Sequence, residues 1–575
     1  MFSTHAAQTR VLEIPELLDM IFGYLEPCFN ASNASVCKRW SEIALDTLWR
    51  DLDDLPRLFG LLKPLRPSGE SPDSPQVFIT PPDAGDWTRL EKYSRRIRCL
   101  THRPDQCTVS LCPTVFEDVA RTRTTLNILP NMKSLVWHDL PALGVIFMQS
   151  TVTHFSFLIP NEYAEPDAAL PTFRDITSRM PHLLTLDLRS HIPMHDMEDN
   201  ILFLLRGLPK LRKVVFPRFS ITTRVAQTLQ HHENLGCIEF QYELNQGCGD
   251  PQDTEVFAPT LKQGGFPSLY DLSLTCTVQD LTTFMGQPSA PTNLTALYVD
   301  SRLVESPTAI HELLTVLVES CQLLESLGII TLIEYSEWSR SLAHIPMTDR
   351  VNYSTLRPVQ NFPNLTIFEI THQYPLDLTL EDLEQLARSW PSLRKLILNN
   401  EPLVCNEPSS LTLKALIPFA QYCPELEQLG LFINASTADL PSTYQVDPPP
   451  SYQCKPFGKL RRLSMGVSFV SDPGAVALFL SQICPLKTSI ESGVTWDTSG
   501  EEEHPLFEAV VDRCSRWAKV DELLPLLTKL RMEERERTKV LLTEVKDLRM
   551  RSGVLMDKIG LNGGQAVDSD RCVTV

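Results

Sequence analysis

Pro181-His182-Leu183-Leu184-Thr185-Leu186-Asp187-Leu188 has a direct physical reading. The proline stops whatever helix precedes it, Leu183 and Leu186 flank a pair that is polar in most copies of the phrase, across a turn, and the last residues alternate as a short strand with one face in the core. The same phrase, Pro-x-Leu-x-x-Leu-x-Leu with apolar substitutions, returns at Pro209–Phe216, Pro267–Leu274, Pro363–Ile370, Pro391–Leu398 and Pro424–Leu431. Weaker copies lie at Asn131–Trp137, Asn293–Val299, Gln322–Ile329 and Gly458–Met465. Arg96-Ile97-Arg98-Cys99-Leu100 reads as a first strand, preceded by a helix at Trp87–Tyr93.

An apolar-periodic stretch precedes most copies of the phrase. Glu381–Trp390 and Thr412–Tyr422 are examples, and both read as helices. Strand, loop and helix repeating at about 25–35 residues is the unit of a leucine-rich-repeat solenoid, in which no single unit buries its own core and stacked neighbours do. The expected class is therefore α/β: an irregular leucine-rich-repeat solenoid over residues 87–500, with parallel strands on the concave side and helices on the convex side. A doubly wound α/β fold also alternates strand and helix, but it does not need one eight-residue phrase to recur, and no glycine-rich phosphate loop is present.

Residues 11–52 carry a different pattern. Leu17, Leu18, Ile21, Phe22 and Leu25 recur at one-turn spacing and make one apolar face of a short helix, with Pro15 at its start and Pro27 just beyond its end. Val36-Cys37-Lys38-Arg39-Trp40, Ile43-Ala44-Leu45 and Leu48-Trp49-Arg50 read as two further amphipathic helices. Three helices in about 40 residues give a thin core that gains from docking on a partner. The strings IPELLDMIFGYLEP, SVCKRW and EIALDTLWRDL, in this order, resemble the F-box, and F-box proteins of mushroom-type fungi are similar to this chain. Ile14 stands where that motif usually has leucine, and one residue between the proline and the glutamate is missing.

The resemblance implies a three-helix domain that binds the Skp adaptor of a Skp–cullin–F-box ubiquitin ligase. Its apolar positions fall on Ile14, Pro15, Leu18, Ile21, Phe22, Leu25, Val36, Trp40 and Trp49, and Pro15 and Leu18, near the helix start, are the expected first contacts. The repeats would then hold an unidentified protein substrate; the alternative is a repeat scaffold that uses the head for Skp binding alone.

Between head and repeats, residues 63–83 hold Pro64, Pro67, Pro72, Pro75, Pro81 and Pro82 and read as an extended linker. Residues 506–551 read as a helical cap for the last repeat, with Val520, Leu523, Leu524, Leu527 and Leu530 on one face and Leu541, Leu542, Val545 and Leu548 resuming it; residues 560–575 read as a loose tail. A free coiled coil is the second reading of the cap.

The remaining chemistry is thin. Among 575 residues the formal net charge is −19, the wrong sign for displacing counterions from nucleic acid. The 15 cysteines include no CxxC pair, and His191 and His195 are separated by a helix-breaking Pro193, so no metal site is expected. No cofactor and no catalytic residue are expected: no serine sits in a nucleophile elbow, and no cysteine has an activating neighbourhood. With neither a signal core nor a membrane-length run, the expected compartment is cytosol or nucleus. Two short patterns stay marginal: a PPxY match at Pro449–Tyr452, and Cys572, fourth from the end of the sequence.

Overall fold

The computed structural model describes residues 14–71, 74–107, 109–165, 168–242, 245–332, 350–405, 409–436, 455–495 and 505–560. The PPxY match and Cys572 lie outside them. The chain forms two compact units, Met1–Ile333 with Ser354–Leu365, and Glu334–Tyr353 with Thr366–Val575.

The first unit carries ten parallel strands in strict chain order: β1 Asp51–Leu52, β2 Cys99–His102, β3 Ser134–Trp137, β4 His154–Leu158, β5 Thr185–Arg189, β6 Lys213–Phe216, β7 Cys237–Phe240, β8 Asp271–Leu274, β9 Ala296–Ser301 and β10 Ser326–Thr331. Register is held along the whole run. Leu52, Leu100, Leu135, Phe155, Leu186, Val214, Ile238, Leu272, Leu297 and Leu327 form one rung, and all ten side chains are buried. This rung is the second leucine of the phrase. The first leucine (Leu183, Leu211, Leu269, Leu294 and Leu324) is fully buried at the turn below. One carbonyl per coil fixes the step, accepting two consecutive N–H groups of the next coil: Leu184 O takes Arg212 N at 2.7 Å and Lys213 N at 3.0 Å, and Gly236 O takes Tyr270 N at 2.9 Å and Asp271 N at 3.0 Å. At about 1.5–3 kcal/mol per buried aliphatic side chain, the rung is a principal stabiliser of the stack.

The second unit repeats the scheme with β11 Ile367–His372, β12 Lys395–Leu398, β13 Gln428–Leu431, β14 Arg462–Gly466 and β15 Ser489–Ser492. Phe368, Leu396, Leu429, Leu463 and Ile490 make its rung. Gly466 sits at a bulge with φ 47°, where a Cβ would stand 2.1 Å from the Asn400 carbonyl oxygen, so no other residue fits. Helices and 3-10 turns fill the returns. Thr379 caps the helix Leu380–Ser389 through a reciprocal box with Asp382, while Thr412 opens a 3-10 turn, Leu413–Leu416, that runs into a short helix, Ile417–Tyr422.

Two expectations change. The proline-rich stretch is not a free tether: Leu65–Pro67 pairs antiparallel with Gln76–Phe78, Phe78 is buried against Phe59, and Lys63 bridges Asp83 and Asp86 at 3.1 and 2.9 Å. Prolines are tolerated there because an edge strand has outward N–H positions to give up. The C-terminal region is a single helix, Pro505–Gly560, running through Pro525. Its seated stripe is Val510, Arg513, Trp517, Val520, Leu524 and Thr528, all buried, while Leu523 and Leu530 face outward. Polar groups hold that stripe down. Arg513 donates to the Cys405 and Val467 carbonyls at 3.0 and 3.1 Å, the Trp517 indole donates to Ser468 O at 3.0 Å, and Asp521 accepts the Ile490 N–H at 2.7 Å.

Candidate functional site

The head consists of helices α1 Pro15–Gly23, α2 Pro27–Asn33 and α3 Lys38–Arg50. Proline opens α1 and α2 at the first turn, where a missing N–H costs nothing. The core is small: Leu18, Phe22 and Ala44, flanked by Ala34, Trp40 and Ile43. The Phe22 and Trp40 rings meet edge to face at 5.5 Å, and buried Asn30 donates its amide to the Phe22 carbonyl at 2.8 Å, tying α2 to the end of α1. Asp19 and Arg50 close the bundle at 2.7 Å.

This core sorts the nine sequence candidates. Leu18 and Phe22 are internal, Trp49 is buried and Trp40 is half-buried, whereas Ile14, Pro15, Ile21, Leu25 and Val36 are exposed. Leu18 is therefore not a first contact; it is fully enclosed under α3. Three exposed apolar side chains escape the sequence reading: Met20, Tyr24 and Phe29. They lie off the periodic face of α1 or on α2, whose sequence has no periodicity to flag them. The head thus presents seven exposed large apolar residues over about 40 positions, more than scattered surface leucines amount to.

Nor does the head hang on a flexible joint. Helix α3 runs straight into β1, which pairs with β2 as the first strand of the sheet, and Arg98 N donates to Arg50 O at 2.8 Å. Trp49 packs on Tyr93 at 5.0 Å and lies 4.4 Å under the Arg57 guanidinium. Arg96, just before the first repeat strand, reaches back to the Glu42 and Asp46 carboxylates and donates to the Glu42 carbonyl at 3.0 Å. Head and first coil are one packed body.

On the first unit's sheet, the face opposite the apolar rung is polar and internally paired. Asp187 accepts from Ser156 Oγ at 2.7 Å, Arg189 at 3.1 Å and Gln246 at 3.1 Å. Burial, with Arg189 and Arg103 nearby, pulls the His138 imidazole down to about 4, so it sits neutral beside Ser156 at 3.1 Å. Asp300 accepts from Arg218 Nε and Nη2 at 2.9 and 2.6 Å and from the Tyr242 hydroxyl at 3.0 Å. Tyr298 lies flat against Gly328, where a Cβ would come within 2.4 Å of the ring.

Two clusters resemble reactive sites. Cys237, Glu239 and Asp271 bring their ligand atoms within 4.8 Å of one another. There the thiol donates to Glu239 at 3.0 Å with Asp271 3.6 Å from the sulfur, and Lys213 pairs with Glu239 at 2.7 Å, so the group carries its own proton and its own cation. Burial pushes that thiol far up, so the sulfur keeps its proton in this hydrogen-bonded arrangement. Cys107 stands 4.0 Å from His102 Nδ1, and His102 Nε2 is 3.0 Å from Asp139. The order is that of a nucleophile, base and carboxylate. Yet burial and Asp54 raise the Cys107 pKa and its thiol donates to Arg103 O at 3.3 Å, so the arrangement holds the thiol rather than activating it.

Comparison with known proteins bears mainly on the head. No curated protein matches the chain. Among solved structures it is similar to a chain in the structure of the Toll–Spätzle complex, a molecular hub in Drosophila development and innate immunity, at 13% identity and a TM-score of 0.26; the match covers 70% of this chain and 45% of that one, so the chain spans less than half its length. Residues 15–54 match the family described as F-box-like. The three-helix head, with its buried Leu18–Phe22–Ala44 core and its exposed apolar face, is an F-box-like domain.

Proposed function

We propose that this chain is the substrate-recognition adaptor of a Skp–cullin–F-box ubiquitin ligase, binding the Skp adaptor through the head and a protein target through the repeats. The observation that carries the reading is the exposed apolar face of Ile14, Ile21, Leu25 and Val36 on an F-box-like domain whose own core is too thin to use it. Such a face is stabilised by covering it. The polar sheet face of the first unit, with Tyr242 and Tyr298 among paired charges, suits a wet, specific protein contact. Because β1 belongs to the sheet, a target on the first unit is held in a fixed relation to the head. The chemistry is then proximity: a tethered lysine meets the ubiquitin thioester of a separate enzyme at high effective concentration, and no group of this chain attacks it. Among the described residues no helix is long and apolar enough to cross a membrane, in keeping with work in the cytosol or nucleus.

The test is co-elution of the purified chain with a purified Skp adaptor, followed by target turnover in cells with the head intact or altered. A stable complex and head-dependent turnover support the ligase role. A complex without any head-dependent turnover makes the chain a non-ligase scaffold. No complex removes the basis of the proposal.

A further inference from the structure

The C-terminal helix does two different things along its length. Its first half is seated by Val510, Arg513, Trp517, Val520, Leu524 and Thr528, and its last ties to the second unit are Arg531 to Ser481 Oγ at 3.0 Å and Arg535 to the Gln482 carbonyl at 3.4 Å. From residue 536 to residue 556 no side chain is buried, and only Asp547 is half-covered. Leu541, Val545, Leu548 and Leu555 nevertheless line one side of this free stretch, between 42% and 59% exposed, with Val540, Met550 and Val554 exposed on its other faces.

These residues set a heptad frame of their own: Thr538, Leu541, Val545, Leu548, Ser552 and Leu555 alternate at three and four residues, as the a and d positions of a heptad do. Leucine occupies each d position from Leu541 onward and β-branched valine one a position, the combination that favours two parallel strands. The flanks settle what kind of helix fits opposite. In a parallel pair in register, each g residue faces the following e residue of the other strand. Here Glu544 at g faces Arg549 at e of a second copy, and symmetry supplies the pair twice. Leu542 and Met556, also at e, widen the apolar seam, and Arg551 at g is held on its own helix by Asp547 at 2.8 Å. A slip of one heptad would lose both Glu–Arg pairs and a leucine layer.

We propose that residues 538–556 of two copies of this chain form a short parallel coiled coil, making the protein a homodimer. The seam is short of three heptads, so the dimer is one of moderate affinity, with dissociation on the order of micromolar. The experiment is sedimentation velocity of the full chain over a concentration series spanning that range. Wild type is expected to pass from monomer to dimer. Leu541→Glu with Leu548→Glu is expected to raise the dissociation constant at least tenfold with an unchanged melting curve, because neither side chain touches the array. Glu544→Arg alone and Arg549→Glu alone are expected to weaken the dimer, and the double charge swap to restore it. A wild type that stays monomeric throughout, a dimer indifferent to the leucine changes, or a charge swap that fails to restore pairing each overturns the proposal.

Discussion

Replacing Ile14, Ile21 and Leu25 together by serine separates docking from folding in the head. These side chains are 42%, 40% and 38% exposed, so a partner can cover only that outer part; the rest is already in contact. Their combined exposed area amounts to slightly more than one whole aliphatic side chain. At about 1.5–3 kcal/mol for a fully buried side chain, the triple variant loses about 2–4 kcal/mol of binding, roughly a 30- to 1000-fold rise in the dissociation constant for a Skp adaptor. Stability should fall much less than binding, since Leu18, Phe22 and Ala44 still close the core. Titration calorimetry with the purified adaptor reads the first quantity, and a melting curve reads the second. An affinity within threefold of wild type in a folded variant would refute the assignment of this face.

Leu18→Ala is expected to do the converse: the side chain is fully enclosed, so the cavity should cost the head about 2–5 kcal/mol, read as lost hydrogen-exchange protection in residues 15–50 with the β3–β10 ladder unchanged. His138 gives a pH dependence. Burial and two arginines hold it at about 4 in the fold against 6.5 otherwise, so the unfolded chain binds the extra proton first and stability falls as pH drops from 6.5 towards 4, by about 3 kcal/mol in all. Above 6.5 this group contributes no slope. His138→Gln should flatten urea midpoints across that window relative to wild type, and parallel curves would contradict the assignment. Gly328→Val should drive a side chain into the Tyr298 ring and cost about 1–3 kcal/mol in melting experiments, with part of the loss recovered by Tyr298→Ala, since residues in contact are not additive.

The sequence made the repeat legible wherever proline stood in front of it, as at β5, β6, β8, β11, β12 and β13. It hid β4 and β15, and left β7 as no more than a strand-like stretch after His231–Glu233. Val152 with Phe155, and Leu235 with Ile238, supply the two buried rungs without the proline. The physical constant is the pair of apolar residues three apart; proline only stops the preceding helix. In the head, Leu18 and Ile21 share a helix face by spacing, yet one is enclosed and the other exposed. Periodicity finds the face, but the crossing of α3 decides which edge of it is covered. In the C-terminal helix the leucine-rich stripe drew the eye, while the seated stripe contains Arg513 and Thr528. A buried arginine reads as surface until its partners, two loop carbonyls, are in view. The joining of head to array was also hidden, because β1 is two residues long and is defined only by its neighbour.

Quantitative affinity purification of the full chain against the Ile14/Ile21/Leu25 serine variant from the same cells, with cullin activation blocked so that targets accumulate, tests the role of the head most directly. A Skp adaptor and a cullin should be recovered with wild type and lost together from the variant, while proteins held by the repeats are recovered with both. Equal recovery of adaptor and cullin with the variant, or their absence from wild type, would contradict that role.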